Sequence, residues 1–192
     1  MKTSVHALKQ STCHVALHAL HALRALASRV LVALLAWAVA QAHGQTGDAN
    51  GVQWIESATL RASAASPDNA LPVRLSDAWN GVDRSGTWVY EATFSGPDKP
   101  EPWGLYIPRI GNRAHLTLNG LVVGQLGALS MDTSDYAQRP HFFFLPETAM
   151  KPSGNTLQIV VQGERARYAG LSSFAVGPVT PVQRMYFWRL RP

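Results

Sequence analysis

Cysteine is nearly missing from this sequence. The 192 residues hold one, Cys13, and it falls in a leader that the rest of the chain does not resemble. Beyond residue 42 there is therefore no internal disulfide and no thiolate metal site. Stability has to come from a hydrophobic core alone, which a domain of about 150 residues is large enough to build. Disulfide-stapled secreted scaffolds are excluded.

A long hydrophobic run is also lacking. VLVALLAWAVA, Val30 to Ala40, spans 11 residues, whereas crossing a hydrocarbon layer of roughly 30 Å takes about 20. That length suits the apolar core of an export signal. Lys2, Lys9, Arg24 and Arg29 precede it and Ala40-Gln41-Ala42 follows as a small-x-small cleavage pattern, so residues 1–42 are read as a signal peptide, with a mature start at His43 in the periplasm. The alternative is an uncleaved inner-membrane anchor, because HALHALRALASRVLVALL is strongly helix-forming. The basic leader is long enough to place the true start codon downstream, nearer Arg24.

An excess of positive charge is absent once the leader is removed. The whole chain carries 17 Lys and Arg against 12 Asp and Glu, but four of the basic residues and none of the acidic ones lie in residues 1–42. Thirteen basic side chains then face twelve acidic ones, a net +1. No one-sided basic surface for phosphate contacts follows, and nucleic acid is excluded as a partner.

Catalytic motifs are missing too. Four of the seven His lie in the leader, leaving His43, His115 and His141. The mature part contains no GxSxG elbow, no HExxH helix, no Gly-rich phosphate loop and no cluster with metal-ligand spacing. No catalytic residue, cofactor or metal is expected. Asp132 and Asp135 in SMDTSDY have the chemistry of hard-cation ligands, yet turn residues accepting bonds from nearby backbone amides explain them better.

What is present is alternation. From Val52 onward, short runs of period two are broken by Gly, Pro, Asn and Asp clusters, the pattern of an all-β antiparallel sandwich or barrel, with no convincing helical stretch. In TWVYEATF, Trp88, Tyr90, Ala92 and Phe94 share one face; in AHLTLNG, Ala114, Leu116 and Leu118 oppose Arg113, His115 and Thr117. Asn119-Gly120 predicts a type I′ hairpin, since both turn positions require positive φ. Further strands are expected at about 53–61, 72–75, 141–145, 156–162 and 173–178, with one helical turn possible in LPETAMKPSGN.

Two residue classes stand out as recognition chemistry. Trp54, Trp79, Trp88, Trp103, Tyr90 and Tyr106 offer rings that stack on sugars, although Trp88 and Trp103 lie on apolar faces and are read as core. Arg109 and Arg113 flank Gly111-Asn112, Arg139 precedes Pro140, and Arg165 and Arg167 precede Tyr168; guanidinium forks bind carboxylates bidentately, though surface ion pairs are the commoner use.

The segments WVYEATF, WGLYIPRIGNRAHLTLNGLVVGQLG, DYAQRPHFFFLP, GNTLQIVVQG and AGLSSFAVGP, in this order, resemble the periplasmic amino-terminal sensor domain of bacterial membrane-bound histidine kinases and diguanylate cyclases. That domain is similar to the extracellular module of seven-transmembrane receptors with diverse intracellular signalling domains, and to the galactose-binding-like jelly roll of β-galactosidases. The match runs from about Leu71 to Arg189. It implies a galactose-binding-like jelly roll and sensing rather than chemistry. Where relatives often read Leu-Pro-Asp-x-Trp, this chain has Leu75-Ser76-Asp77-Ala78-Trp79, a mild departure. A larger one is the ending at MYFWRLRP, where a membrane span and an output domain are expected; a truncated receptor and a stand-alone protein remain equally open.

The resulting organisation is a signal peptide (1–42), an N-terminal strand and linker (43–70), a jelly-roll ligand-binding domain (71–180) and a juxtamembrane-like tail (181–192). The expected function is a non-enzymatic periplasmic sensor that binds a small carbohydrate or carboxylate and passes occupancy to a membrane-bound signalling protein. Candidate binding residues, placed on loops or outward faces, are Tyr106, Arg109, Asn112, Arg113, Tyr136 and Arg139. The alternatives are a carbohydrate-binding or accessory domain of a glycoside hydrolase, and a purely structural envelope protein that binds nothing.

Overall fold

The computed structural model describes residues 50–63, 69–79, 86–129, 135–164 and 169–190, all within one compact unit, Gly44–Pro192. The predicted signal peptide lies outside these residues. Twelve strands and one helix are described: β1 (Gln53–Ile55), β2 (Ser57–Ala62), β3 (Leu71–Arg74), β4 (Asp77–Ala78), β5 (Gly86–Phe94), β6 (Trp103–Ile107), β7 (Arg113–Leu118), β8 (Leu121–Leu126), β9 (His141–Leu145), β10 (Asn155–Gly163), β11 (Gly170–Leu171), β12 (Phe174–Pro178) and α1 (Val179–Leu190).

The strands form an antiparallel sandwich of jelly-roll type. One sheet has the order β3-β2-β5-β10-β7-β8, the other β1-β12-β6-β9, and β11 pairs with β4 in a small ribbon. The expected single strand over 53–61 is in fact two: β1 joins the smaller sheet through β12 and β2 joins the larger through β5. Exposed Glu56 sits at the crossing, so a chain that reads as one alternation serves both layers.

The core lies between the sheets. Tyr90, Leu116, Leu118, Leu157, Ile159 and Val161 face inward from the larger sheet, and Leu105, Ile107, Phe174 and Val176 meet them from the smaller. Each such side chain stabilises the fold by roughly 1.5–3 kcal/mol. Phe94 of β5 stacks on Trp103 of β6 with ring centroids 6.2 Å apart. Trp88, expected on the buried face, is only half-buried and packs at the margin of this cluster.

The hairpin forms as its Asn-Gly pair requires. Asn119 has φ 50° and Gly120 φ 88°, both positive, and Leu118 faces Leu121 across the turn. A bulge after Leu116 shifts the register so that Leu116 pairs with Gly124. At Gly124 any Cβ would run into the Phe143 ring of β9, which fixes how closely the two sheets approach. The helical turn allowed in LPETAMKPSGN is a 3-10 turn, Glu147–Ala149.

The last segment overturns the expectation that the chain holds no helical stretch. Val179–Leu190 is an α-helix, and Val182 on it is fully buried. Alternation stops after Pro178; Val179, Val182 and Tyr186 recur at helical spacing, and Pro181 is tolerated because it falls in the first turn. α1 packs on the outer face of the smaller sheet, over Val52, Tyr106 and Ala175. All five residues of β6 are consequently buried.

Candidate recognition site at one end of the sandwich

β6 leaves the sandwich at Ile107 and the chain re-enters it at Arg113, and the crossing between them organises one end of the molecule. Ile110 bridges Leu171, the Gly111 N–H donates to the Gly170 carbonyl at 2.7 Å, and the Ser172 N–H donates to the Arg109 carbonyl at 3.0 Å. The Arg109 N–H in turn donates to Ser172 Oγ at 3.1 Å. Gly111 sits so close to the backbone of Ala169 and Gly170 that a Cβ there would lie 2.6 Å from the Gly170 nitrogen. Only glycine fits this crossing.

Asn112 is fully buried at the centre. Its Nδ2 donates to Asp135 Oδ1 at 3.1 Å, its Oδ1 accepts the Glu164 N–H at 3.0 Å, and its carbonyl accepts the Tyr136 N–H at 2.9 Å. Asp135 Oδ1 also accepts the Ala137 N–H at 3.0 Å, so Asp135 behaves as the turn residue expected of it. Asp132, Arg165, Arg167 and Tyr168 lie outside the described residues. Among the described residues no group of three or more His, Cys, Asp or Glu side chains is arranged to hold a metal ion.

Arg113 begins β7 on its outward face, yet its side chain is only 7% exposed. Its Nη1 donates to Glu164 Oε1 at 2.9 Å, while its Nε is buried without a hydrogen-bond partner among the described residues. Around this rigid floor stand exposed Arg109 and Arg139 and half-buried Tyr136 and His141. The Tyr136 and His141 rings lie 6.3 Å apart. His141 Nε2 is 2.9 Å from the Tyr136 carbonyl oxygen, which it serves as N–H donor. Burial pushes the His141 pKa below its ordinary value; the bond to Tyr136 opposes this and the Arg139 charge adds to it.

Of the six residues singled out from the sequence, Asn112 and Arg113 are buried and tie the loops at this end together, while Arg109, Tyr136 and Arg139 lie on those loops, the two arginines exposed and Tyr136 half-buried. The sixth, Tyr106, does not join them. It points to the outer face of β6, as alternation requires, but α1 covers that face and leaves Tyr106 5% exposed. Burial raises its phenol pKa, with the Arg189 charge acting in the opposite direction.

Sequence reasoning missed His141 and Glu164 as members of this end, and the polar relay behind them. Trp79, less clearly buried by pattern, is in fact buried: its Nε1 donates to the Tyr90 hydroxyl at 2.8 Å, and that hydroxyl donates to Asp77 Oδ2 at 2.7 Å. The Trp79 N–H donates to the Ala169 carbonyl at 3.0 Å, and its ring occupies space that any Cβ at Gly163 would enter. The only prior signal was Asp77-Ala78-Trp79 itself, whose partners lie far along the chain. Two depressions are lined by other residues: one of about 550 Å3 by Asn50, Thr180, Pro181, Arg184, Met185 and Trp188, and one of about 170 Å3 that includes Glu101, Glu147 and Lys151. Among the described residues no helix is long and apolar enough to cross a membrane.

No protein-family model matches this chain, and neither does any curated protein. Solved structures do. A glycosyl hydrolase family 2 member from Bacteroides cellulosilyticus superposes with TM-score 0.53 at 11% identity, over 66% of this chain and 20% of that one. A family 2 β-galacturonidase from Eisenbergiella tayi, bound to galacturonate, gives TM-score 0.52 at 12% identity over 66% and 24%. β-Glucuronidase 2 from Bacteroides uniformis gives 0.50 at 18% over 65% and 17%. The likeness is one of fold, the jelly-roll sandwich, and the chain spans between a sixth and a quarter of the length of these hydrolases.

Proposed function

We propose that this chain is a non-catalytic recognition domain of the periplasm, which binds a small carbohydrate or carboxylate at the loop end of its sandwich and reports occupancy to a membrane-bound signalling protein. The observation that supports the reading is buried Asn112, whose bonds tie the loops that carry Arg109, Tyr136 and Arg139 to one another. Two guanidinium donors and one aromatic ring suit an oxygen-rich, planar or anionic ligand. The floor is crossed by backbone hydrogen bonds from three separate segments, so the rim is mounted on a rigid base, as binding loops are. Ordering these loops on ligand binding shifts how β11 and β12 are held, because Ser172 is bonded directly to Arg109. In this reading the partner is the membrane-bound output module of a histidine kinase or diguanylate cyclase receptor, working in the same chain or in trans.

Titration calorimetry against neutral sugars, uronic acids and small dicarboxylates tests the proposal. A ligand found in this way is expected to lose about tenfold or more in affinity with Arg109→Ala or Arg139→Ala, each removing a charged hydrogen bond worth roughly 1.5–3 kcal/mol. Unchanged affinity in both variants would remove the site.

A second reading, an accessory domain of a glycoside hydrolase, is favoured by the fold likeness to family 2 hydrolases. The neighbouring genes discriminate: a transmembrane kinase or cyclase supports sensing, and a hydrolase supports the accessory role.

A further inference from the structure

The smaller sheet and its helix carry no carboxylate at all. β1, β12, β6, β9 and α1 read QWI, FAVGP, WGLYI, HFFFL and VTPVQRMYFWRL. Their full-time charges are Arg184 and Arg189, both exposed on α1. This layer is therefore cationic in a domain whose sequence beyond residue 42 is nearly neutral.

The same layer exposes aromatic and aliphatic surface. Phe144 is 62% exposed, Phe187 53%, Trp188 64% and Leu190 49%. Phe144 and Phe187 are linked through two further rings, and Trp188 lies beside Arg184. Phe142 on the outer face of β9 has its ring 5.1 Å from Phe144 and 6.2 Å from Tyr186, and Tyr186 lies 5.6 Å from Phe187. A continuous row of rings runs from an edge strand to the last turn of the helix, bordered by arginines.

From this we infer that the α1–β9 face docks on the surface of a bilayer containing anionic phospholipid, with Trp188, Phe187 and Phe144 entering the interface and Arg184 and Arg189 meeting headgroup phosphates. Tyr and Trp settle at the headgroup level because one part of each ring system is apolar and the other hydrogen-bonds. Arginine lies beside them because its stem follows the apolar surface while the guanidinium reaches phosphate. Interfacial helices combine these two features, and each basic residue adds attraction to an anionic leaflet. A second copy of the chain fits less well. A two-fold contact would set Arg184 and Arg189 against their own equivalents, with no carboxylate on the layer to offset them. The inference is independent of the loop-end site, since none of its residues is shared.

The test uses the full chain with phosphatidylethanolamine–phosphatidylglycerol vesicles whose acyl chains carry bromine, a contact quencher of tryptophan. The difference in emission between the parent and Trp188→Phe isolates Trp188, so any binding through the N-terminal leader does not enter the readout. Quenching of that difference signal supports insertion. Arg184→Gln with Arg189→Gln is expected to weaken it by on the order of fivefold per arginine, with the loss vanishing at high salt. An unquenched Trp188, quenching that is equal on purely zwitterionic vesicles, or a concentration-dependent dimer that shields Trp188 without lipid would each overturn the proposal.

Discussion

Asn112 and Asp135, 23 positions apart in the chain, are joined by a 3.1 Å bond from Nδ2 to Oδ1, and that contact sits where three loops meet. The other half of the Asn112 amide accepts the Glu164 N–H. One buried side chain therefore satisfies groups from two distant segments. At the far end of β7, Asn119 does the same: its Nδ2 donates to the Ala149 carbonyl at 2.7 Å and its Oδ1 accepts the Thr156 N–H at 2.9 Å.

Asn112→Ala is expected to destabilise the domain by about 1–3 kcal/mol, the penalty for leaving the Glu164 backbone N–H without its acceptor and the Tyr136 and Glu164 loops without the side chain that joins them. Urea unfolding measures it. Asp135→Ala removes only one partner from the same network and should cost less.

Gly124→Ala forces a methyl group into the Phe143 ring, and overpacking of this kind costs about 1–3 kcal/mol. The same substitution combined with Phe143→Leu should recover most of the loss. A double-mutant cycle in chemical denaturation checks the coupling; additive effects would show that the two sheets relax apart instead.

Tyr90→Phe deletes the hydroxyl between the Trp79 indole and Asp77, stranding a buried N–H. A loss of about 1–3 kcal/mol is expected, accompanied by a change in near-ultraviolet circular dichroism from Trp79 and from Trp88, whose ring stands 6.3 Å away at 63°.

Glu164→Ala takes the partner from an arginine that is almost wholly enclosed. Glu164 is itself 35% exposed, so water screens part of the effect, and a loss on the order of 2 kcal/mol is expected. Arg113→Met, which removes the charge and keeps the apolar stem, should be better tolerated. Thermal unfolding of the two variants side by side decides the order.

His141 makes stability depend on pH in a defined direction. Its folded pKa lies below the ordinary value of 6.5, so the unfolded chain takes up a proton before the folded one does. Its contribution is present in full above the unfolded pKa. Stability is lost as pH falls through about 6.5, and the loss levels off once pH passes below the folded pKa. His141→Gln should flatten this part of a stability–pH curve between about 7 and 5.

Much of the sandwich is visible in the residue pattern. Leu157, Ile159 and Val161 alternate because β10 is half-covered on one face, and Asn119-Gly120 names its own turn because few other pairs adopt two positive φ values in succession. The helix was hidden for a physical reason as well. VTPVQRMYFWRL has a proline near its start and one fully buried residue, Val182, so neither its propensity nor its periodicity stands above the strands around it. Arg113 shows the same limit at a single position: alternation sets it outward, correctly, but cannot say that the outward face there is covered.

Alternation, turn chemistry and the lack of cysteine were enough to determine that this protein is an all-β antiparallel domain stabilised by its core, because those signals act between near neighbours in the chain. Which polar residues serve the rim and which the floor was decided only by tertiary structure. Asn112, Asp135 and Glu164 acquire their roles from contacts between segments that the sequence keeps apart, and α1 turns the outward face of β6 into interior. Burial belongs to the assembled layers rather than to any one strand, so no local pattern can report it.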